Sequence, residues 1–394
     1  MSSASGYTRL DGIEQMRGLA ALGVIVAHAV DTSANLGAGV EGKFLAAFPV
    51  ANDFGTCGVD LFFVISGFVM AYSISQAPSI SAGRFAWRRF KRIVPAFWLA
   101  SLGFILFREA LGDPIASQAS LTSLTIVPVT GQGAYIFPAL FVGWTLAFEI
   151  CFYLMITIVL AARCKSASVA ALALVVAAAL LGIAWRPAPM AARFLVNPIY
   201  FEFACGIVGQ LLFRRGLYGS RARRALIALL GCFLVIFFFH PVDLGISMHP
   251  IAVIDGDLSL KRSLIFGPAF MLLLLGSIEP GRVTSRFGRA MLLIGRASYS
   301  LYLTHLFVMV ATEHAGLGGW RPNVYVLVTA LVAGSVLLGV LVHRFVERPL
   351  LYLLDCGATL VGGQLRSARQ GRDVACVIDS IPLPLAGGAR GGHV

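Results

Sequence analysis

The sequence predicts an all-α integral membrane protein of about ten transmembrane helices around a polar cavity, and three observations carry that expectation. Of 394 residues, 58% are hydrophobic and only 13% charged, where a soluble domain is nearer half apolar and a quarter charged. The apolar residues gather into long runs, several of 17 or more, which span the roughly 30 Å hydrocarbon core as helices. The third observation is a charge asymmetry between alternate connections. Segments 1–12, 76–92, 163–167, 214–224 and 279–290 hold sixteen Lys and Arg, whereas 31–56, 110–138, 186–196, 241–261 and 312–322 hold five. A wrong helix count would scramble that pattern, so both termini are expected on the cytoplasmic side.

The predicted spans run in order along residues 13–30, 57–75, 93–109, 139–162, 168–185, 197–213, 224–240, 262–278, 291–311 and 323–346. In the first, Arg17 and His28 stand eleven residues apart, within about 20° of whole helical turns and about 16 Å along the axis. They share one face, with the Arg nearer the cytoplasmic end. Ala27-His28-Ala29 has the look of a signal-peptidase site, but Asp11 and Glu14 in the leader argue against cleavage. The second span carries Asp60 and Ser66. Before the third lies the basic stretch Arg84 to Arg92, which reads equally as a positive-inside anchor and as a phosphate-binding entrance. Arg89 and Arg92 are i, i+3 neighbours there, two forked donors suited to phosphate. The fourth span holds Trp144 and a stripe of Thr145, Glu149 and Tyr153; the sixth holds Glu202. Gly267-Pro268 is expected to interrupt the eighth. In the ninth, Arg296 is followed by Ser298, Tyr302 and His305 at i, i+4, i+7. Residues 1–350 are read as the membrane domain, and the Gly/Arg-rich 351–394 as a mobile cytoplasmic tail.

Charged side chains at mid-membrane cost about 2.5–3.5 kcal/mol each, so Arg17, Asp60, Glu149, Glu202 and Arg296, with His28 and His305, point to a polar interior. A neutral His is the usual general base at physiological pH, and Glu149 or Asp60 is suited to orient it. The sequence has no G-x-S-x-G elbow and no H-E-x-x-H zinc site. The seven Cys include no C-x-x-C pair, and no metal is expected. The +12 net charge sits in short clusters between apolar runs, which argues against nucleic acid as a partner. Composition and spacing leave the reaction unidentified.

Gly12 to His28 and Gly58-Val-Asp60-Leu-Phe-Phe-Val-Ile-Ser66-Gly-Phe resemble the membrane acyltransferase family 3, the group of O-antigen, exopolysaccharide and Nod-factor acetyltransferases. Arg17 and His28 match the family's R-x10-H pattern, and Arg89 and Arg92 its R-x-x-R. Gly143-Trp144-Thr-Leu-Ala-Phe-Glu149-Ile-Cys-Phe-Tyr153 looks like its W-S-L-x-x-E-x-x-F-Y element, with Thr145 for Ser and the Glu one residue later. Ile294 to His305 and Val346-Glu347-Arg348-Pro349 complete the series in family order.

The resemblance implies acetyl-CoA or another acyl-CoA as the cytoplasmic donor. It implies a saccharide or lipid-linked saccharide hydroxyl as acceptor, a bacterial inner membrane setting among lipids, and association with polysaccharide synthesis or export machinery. Arg89, Arg92 and Arg17 are then the donor-phosphate residues. His28 is the base or a transient acyl carrier. Glu149 and Asp60 are its catalytic companions, and Ser66, Trp144, Tyr153, Ser298, Tyr302 and His305 line the cavity. Some family members carry an extracellular SGNH-hydrolase-like domain, for which the roughly 45 residues after Pro349 are too few. The expectation is that the chain completes transfer itself or hands the acyl group to a separate partner. The rival readings are a transporter or flippase for a lipid-linked saccharide, which also suits a polar cavity, and a non-catalytic scaffold subunit.

Overall fold

A computed structural model describes residues 10–36, 51–127, 129–131, 134–185, 190–216, 219–239, 250–278, 283–316 and 323–356. The tail beyond 356, residues 37–50 of the 31–56 connection and residues 241–249 of the 241–261 connection lie outside these described residues. The helices are α1 (Asp11–Asn35), α2 (Ala51–Gln76), α3 (Ala82–Ala110), α4 (Ser117–Thr125), α5 (Gly143–Ala161), α6 (Ala167–Ala184) and α7 (Tyr200–Arg214). They continue as α8 (Arg221–Phe239), α9 (Pro250–Ile254), α10 (Ser259–Ser277), α11 (Arg286–Arg296), α12 (Ser298–Ala315) and α13 (Val324–Val342). A π-helical turn, His343–Glu347, follows α13. A two-stranded hairpin, β1 (Val129–Gly131) and β2 (Ala134–Ile136), pairs antiparallel with Thr130 opposite Tyr135.

Nine of the ten predicted spans coincide with a single helix and the ninth with the α11–α12 pair, yet they are not equal. Among the described residues, seven helices are long and apolar enough to cross a bilayer alone, and the α11–α12 pair makes an eighth span if counted as one. Of the other two, α7 has 15 residues, about 22 Å of helix at 1.5 Å per residue, short of the hydrocarbon core. The second, α8, opens on Arg221, Arg223 and Arg224, which belong at a membrane surface.

Two details differ from the sequence reading. The eighth span is unbroken, because α10 carries Pro268 inside a continuous helix. The ninth is broken instead, with α11 and α12 bent by 78° about Ala297. The bend lets α11 cross α1 closely: a Cβ on Gly295 would stand 1.7 Å from the Glu14 carbonyl oxygen. With Arg286, Arg289 and Arg296 along a helix that buries Met291 and Leu292, α11 has the character of an interfacial helix.

Packing places α1 against α2 on one side and against α11, α12 and α13 on another. From α2 the bundle continues through α7 and α10 to α8, while α3 lies against α5 and α12. Small residues also make a close crossing of α2 and α7. A Cβ on Gly67 of α2 would lie 2.1 Å from the Phe203 oxygen, and one on Gly206 of α7 2.0 Å from that of Val64. Such close backbone approach is how membrane helices gain contact without a hydrophobic driving force. Phe63, Phe152 and Phe203 fill the adjoining core, with Phe203 centred 4.8 Å from Phe63 and 4.5 Å from Phe152.

Candidate active site

Successive residues of α12 each take a partner from a different element. Tyr299 Oη donates to the Ile93 carbonyl of α3 at 2.7 Å. Ser300 Oγ donates to Glu347 Oε2 at 2.5 Å. Tyr302 Oη donates to the Val142 carbonyl at 2.9 Å and lies 2.6 Å from Thr145 Oγ1, at the start of α5. One turn further on, the His305 ring is centred 5.0 Å from that of His28 on α1. From Tyr299 to His305 this ladder rises about 9 Å.

The backbone fixes the two imidazoles in the same tautomer. His28 Nδ1 is 2.9 Å from the Val24 carbonyl oxygen, and His305 Nδ1 is 3.0 Å from that of Leu301. A carbonyl only accepts, so each Nδ1 carries the hydrogen and each Nε2 presents a lone pair. His28 is half-buried and His305 fully buried. The residue that orients His28 is therefore the helix carbonyl one turn earlier, and both predicted carboxylates are engaged elsewhere. Glu149 accepts from Ser66 Oγ at 2.9 Å and from Tyr153 Oη. Asp60 is fully buried in a forked pair with Arg262, Nε to Oδ1 at 3.1 Å and Nη2 to Oδ2 at 2.5 Å.

Arg89 extends over the rings of Phe85, at 5.6 Å, and Tyr153, at 6.0 Å, which brings it beside Glu149. Arg92 interacts electrostatically with Tyr153, Tyr299 and Glu347. The two predicted phosphate-binding arginines thus stand at the foot of the ladder, next to the half-buried Glu149 and the buried Glu347. Trp144 is buried with its ring edge-on to Phe148. Ser298 Oγ is buried without a hydrogen-bond partner among the described residues. Arg17 is half-buried on α1, eleven residues before His28.

Sequence reasoning missed Glu347 and Arg262 here, and gave Glu202 no partner. Glu347 lies in the quoted Val346-Glu347-Arg348-Pro349 element without a role; it is buried and also accepts from His343 Nδ1 at 2.8 Å. Arg262 was taken as the end of a span, although it and Asp60 both sit near the same ends of spans two and eight, the depth at which a pair can form. Glu202 joins that group through Ser263 Oγ at 3.4 Å. A separate cluster ties the connections together: Arg193 Nη1 meets Asp255 at 2.5 Å, and Tyr135 Oη donates to the same oxygen at 2.9 Å. Burial, and then the neighbouring Asp255 carboxylate, hold the Tyr135 hydroxyl above the usual phenol range. Among the described residues no group of three His, Cys, Asp or Glu gathers to hold a metal.

The model of the acyltransferase domain family matches residues 10–344. The chain is 31% identical over 309 residues to the exopolysaccharide production protein ExoZ of Rhizobium meliloti (strain 1021), covering 75% of this chain and 90% of that protein. It is 23% identical over 384 residues to the O-acetyltransferase OatA of Staphylococcus aureus (strain NCTC 8325 / PS 47), covering 86% of this chain and 57% of that protein. No solved structure gives a significant match. With that match covering most of the chain, from α1 through α13, the chain belongs to the acyltransferase 3 family and is a multi-pass membrane acyltransferase.

Proposed function

We propose that the chain moves an acetyl group from acetyl-CoA to a hydroxyl of a cell-surface saccharide or exopolysaccharide. It does so in a bacterial inner membrane, with both termini cytoplasmic. The observation that carries the reading is the polar ladder itself, with Arg89 and Arg92 at one end and the His28–His305 pair at the other. Family membership and the names of the two relatives support acyl transfer to polysaccharide, and the Lys/Arg asymmetry supports the orientation.

On this reading the arginines hold the donor's phosphates by charge-assisted, forked hydrogen bonds. Ser66 and Tyr153 fix Glu149 beside them, so the guanidinium charge is balanced before the donor arrives. The thioester arm extends along the ladder, past Tyr302, to His28. There Nε2 removes the proton of the acceptor hydroxyl, its oxygen attacks the acyl carbon, and the carbon–sulfur bond breaks. The leaving thiolate then takes the proton from His28. The same Nε2 lone pair suits a transient acyl-imidazole, in which His28 itself carries the group.

The test is incorporation of label from radiolabelled acetyl-CoA into lipid or polysaccharide, in membranes carrying the wild type, His28→Ala or Arg89→Ala/Arg92→Ala. Label that requires His28, together with a raised donor KM in the arginine variant, is expected. Equal incorporation by wild type and His28→Ala, above empty membranes, would remove His28 from the chemistry. Unaltered donor binding in the arginine variant would remove the phosphate role.

A further inference from the structure

We infer that a cavity at the far end of α3 from Arg89 and Arg92 is a subsite for an uncharged sugar unit, the neighbour of the unit that is acylated. The inference rests on the reading of the chain as a saccharide acyltransferase. The cavity encloses about 340 Å³ and is lined by Arg108, Leu111 and Asp113 on one side and by Val310, Glu313 and His314 on the other. That volume lies within the range of small-ligand sites. Asp113, Glu313 and His314 are exposed, so the cavity opens outward. Arg108 follows Arg92 by sixteen residues within one continuous helix, about 24 Å at 1.5 Å per residue. A ligand entering the cavity therefore arrives from the face away from the donor's phosphates.

Two local features build it. Just past α3, Gly112 takes a φ of +75°, a left-handed conformation that costs glycine little. The turn folds Asp113 back onto the helix end. Its amide donates to the Arg108 carbonyl at 3.0 Å, its carbonyl accepts from Arg108 Nε at 3.2 Å, and its carboxylate pairs with the guanidinium. The opposite wall is the last turn of α12, where Glu313 Oε1 accepts from Asn35 Nδ2 of α1 at 3.2 Å. That contact sets the cavity beyond the imidazoles. Asn35 comes seven residues after His28, and Glu313 eight after His305. The two helices that bring the rings to 5.0 Å thus meet again about 10–12 Å further on. That is further than one sugar ring reaches and within reach of the next unit in a chain.

The lining suits a polyol. The carboxylates of Asp113 and Glu313 accept from hydroxyl groups, and Glu313 keeps lone pairs beyond the one given to Asn35; Arg108 donates. Leu111 and Val310 offer apolar surface to the C–H face of a ring. One guanidinium stands against two carboxylates, so with His314 neutral the lining is net negative. That balance disfavours a uronic acid or a phosphate and leaves a neutral sugar unopposed. Holding the neighbouring unit here restricts the acceptor hydroxyl near His28, which is orientation supplied by a part of the substrate that does not react.

The test uses the full chain in lipid nanodiscs with labelled acetyl-CoA. The acceptors are fragments of one to four units from a neutral exopolysaccharide of the producing bacterium, stripped of acetyl groups with base. Saturation-transfer NMR reads fragment binding in the absence of acetyl-CoA. Fragments of two or more units should bind more tightly than the single unit and be acetylated at lower KM. Glu313→Leu, and Val310→Trp, which fills the cavity, should raise the KM of the longer fragments about tenfold, the worth of one charge-assisted hydrogen bond, at unchanged acetyl-CoA KM. Glu313→Gln keeps an acceptor and should stay within about threefold of wild type. Binding that does not improve with length, a KM unmoved in Glu313→Leu, or one raised equally for single and longer fragments would overturn the inference. So would tighter binding of a uronic-acid fragment than of a neutral one of equal length. Melting identifies a variant that has lost its fold, and the Leu and Gln substitutions at the exposed Glu313 decide the matter should Val310→Trp unfold. Length-dependent binding without any transfer of label would instead sink the acyltransfer reading and leave the cavity as a saccharide site.

Discussion

Replacing Arg262 by Met tests whether Asp60 belongs to the architecture or to the chemistry. Both side chains are completely buried, and the guanidinium spans both carboxylate oxygens at 3.1 and 2.5 Å. At about 3 Å and an effective dielectric near 20, their Coulomb attraction is about 5–6 kcal/mol, set against the desolvation of both ions. Removing one partner leaves the other charge buried and uncompensated, which typically destabilises by about 3–5 kcal/mol. Glu202 stands in the same group through Ser263, so Arg262→Met removes the positive charge serving two carboxylates. At roughly 2–4 °C per kcal/mol, melting of the purified protein should fall by about 6–20 °C. Asp60→Leu/Arg262→Met removes both members of the pair and should recover the share of that loss that comes from Asp60, leaving the share that comes from Glu202. If Asp60 only holds α2 against α10, the double variant also transfers acyl groups within about threefold of wild type. A double variant that melts like wild type but is inactive would refute the structural assignment and return Asp60 to the active site. A single variant that melts within 2 °C or so of wild type would refute the energetic argument itself.

Glu347→Gln should lower the acetyl-CoA KM about threefold at low salt, because it removes a negative charge acting on Arg92 while leaving an acceptor for Ser300; a raised KM would show that Glu347 orients the arginine and does not merely offset it. Gly206→Val should sharply reduce the protein recovered from membranes, since a Cβ there would meet the Val64 oxygen at 2.0 Å and force α2 from α7. Recovery at the wild-type level on a quantitative immunoblot would contradict the crossing described here.

Much of the architecture is legible because membrane insertion is a one-dimensional constraint. Run length and the alternation of Lys and Arg locate ten helices with no knowledge of packing. The break at Ala297 is invisible to that reasoning, since hydropathy continues through it; it goes with a three-dimensional contact between Gly295 and the backbone of Glu14. Pro268 misleads in the opposite direction, because a membrane helix can absorb one missing hydrogen bond. In the site, helical periodicity correctly grouped Thr145, Glu149 and Tyr153, and likewise Ser298, Tyr302 and His305, but it cannot say which stripes meet. The pairing of His28 with His305 and that of Asp60 with Arg262 depend on helix neighbours and register, which a single sequence does not supply.

The short motif from Gly58 to Phe68 shows how that ambiguity leaves roles open. Asp60 and Ser66 are six residues apart, so at about 100° per residue they point some 120° apart around α2. One face of the helix sends Asp60 to Arg262 on α10. Another sends Ser66 to Glu149 on α5, beside the arginines. A linear motif makes both look like parts of one catalytic device, whereas the fold places α2 as the wall between a buried ion pair and the polar ladder. Loss of Asp60 should then register first as lost stability, and loss of Ser66 as a Glu149 left with Tyr153 alone and an altered charge balance at Arg89. The same substitution assay, read once by melting and once by donor KM, separates the two faces of this helix.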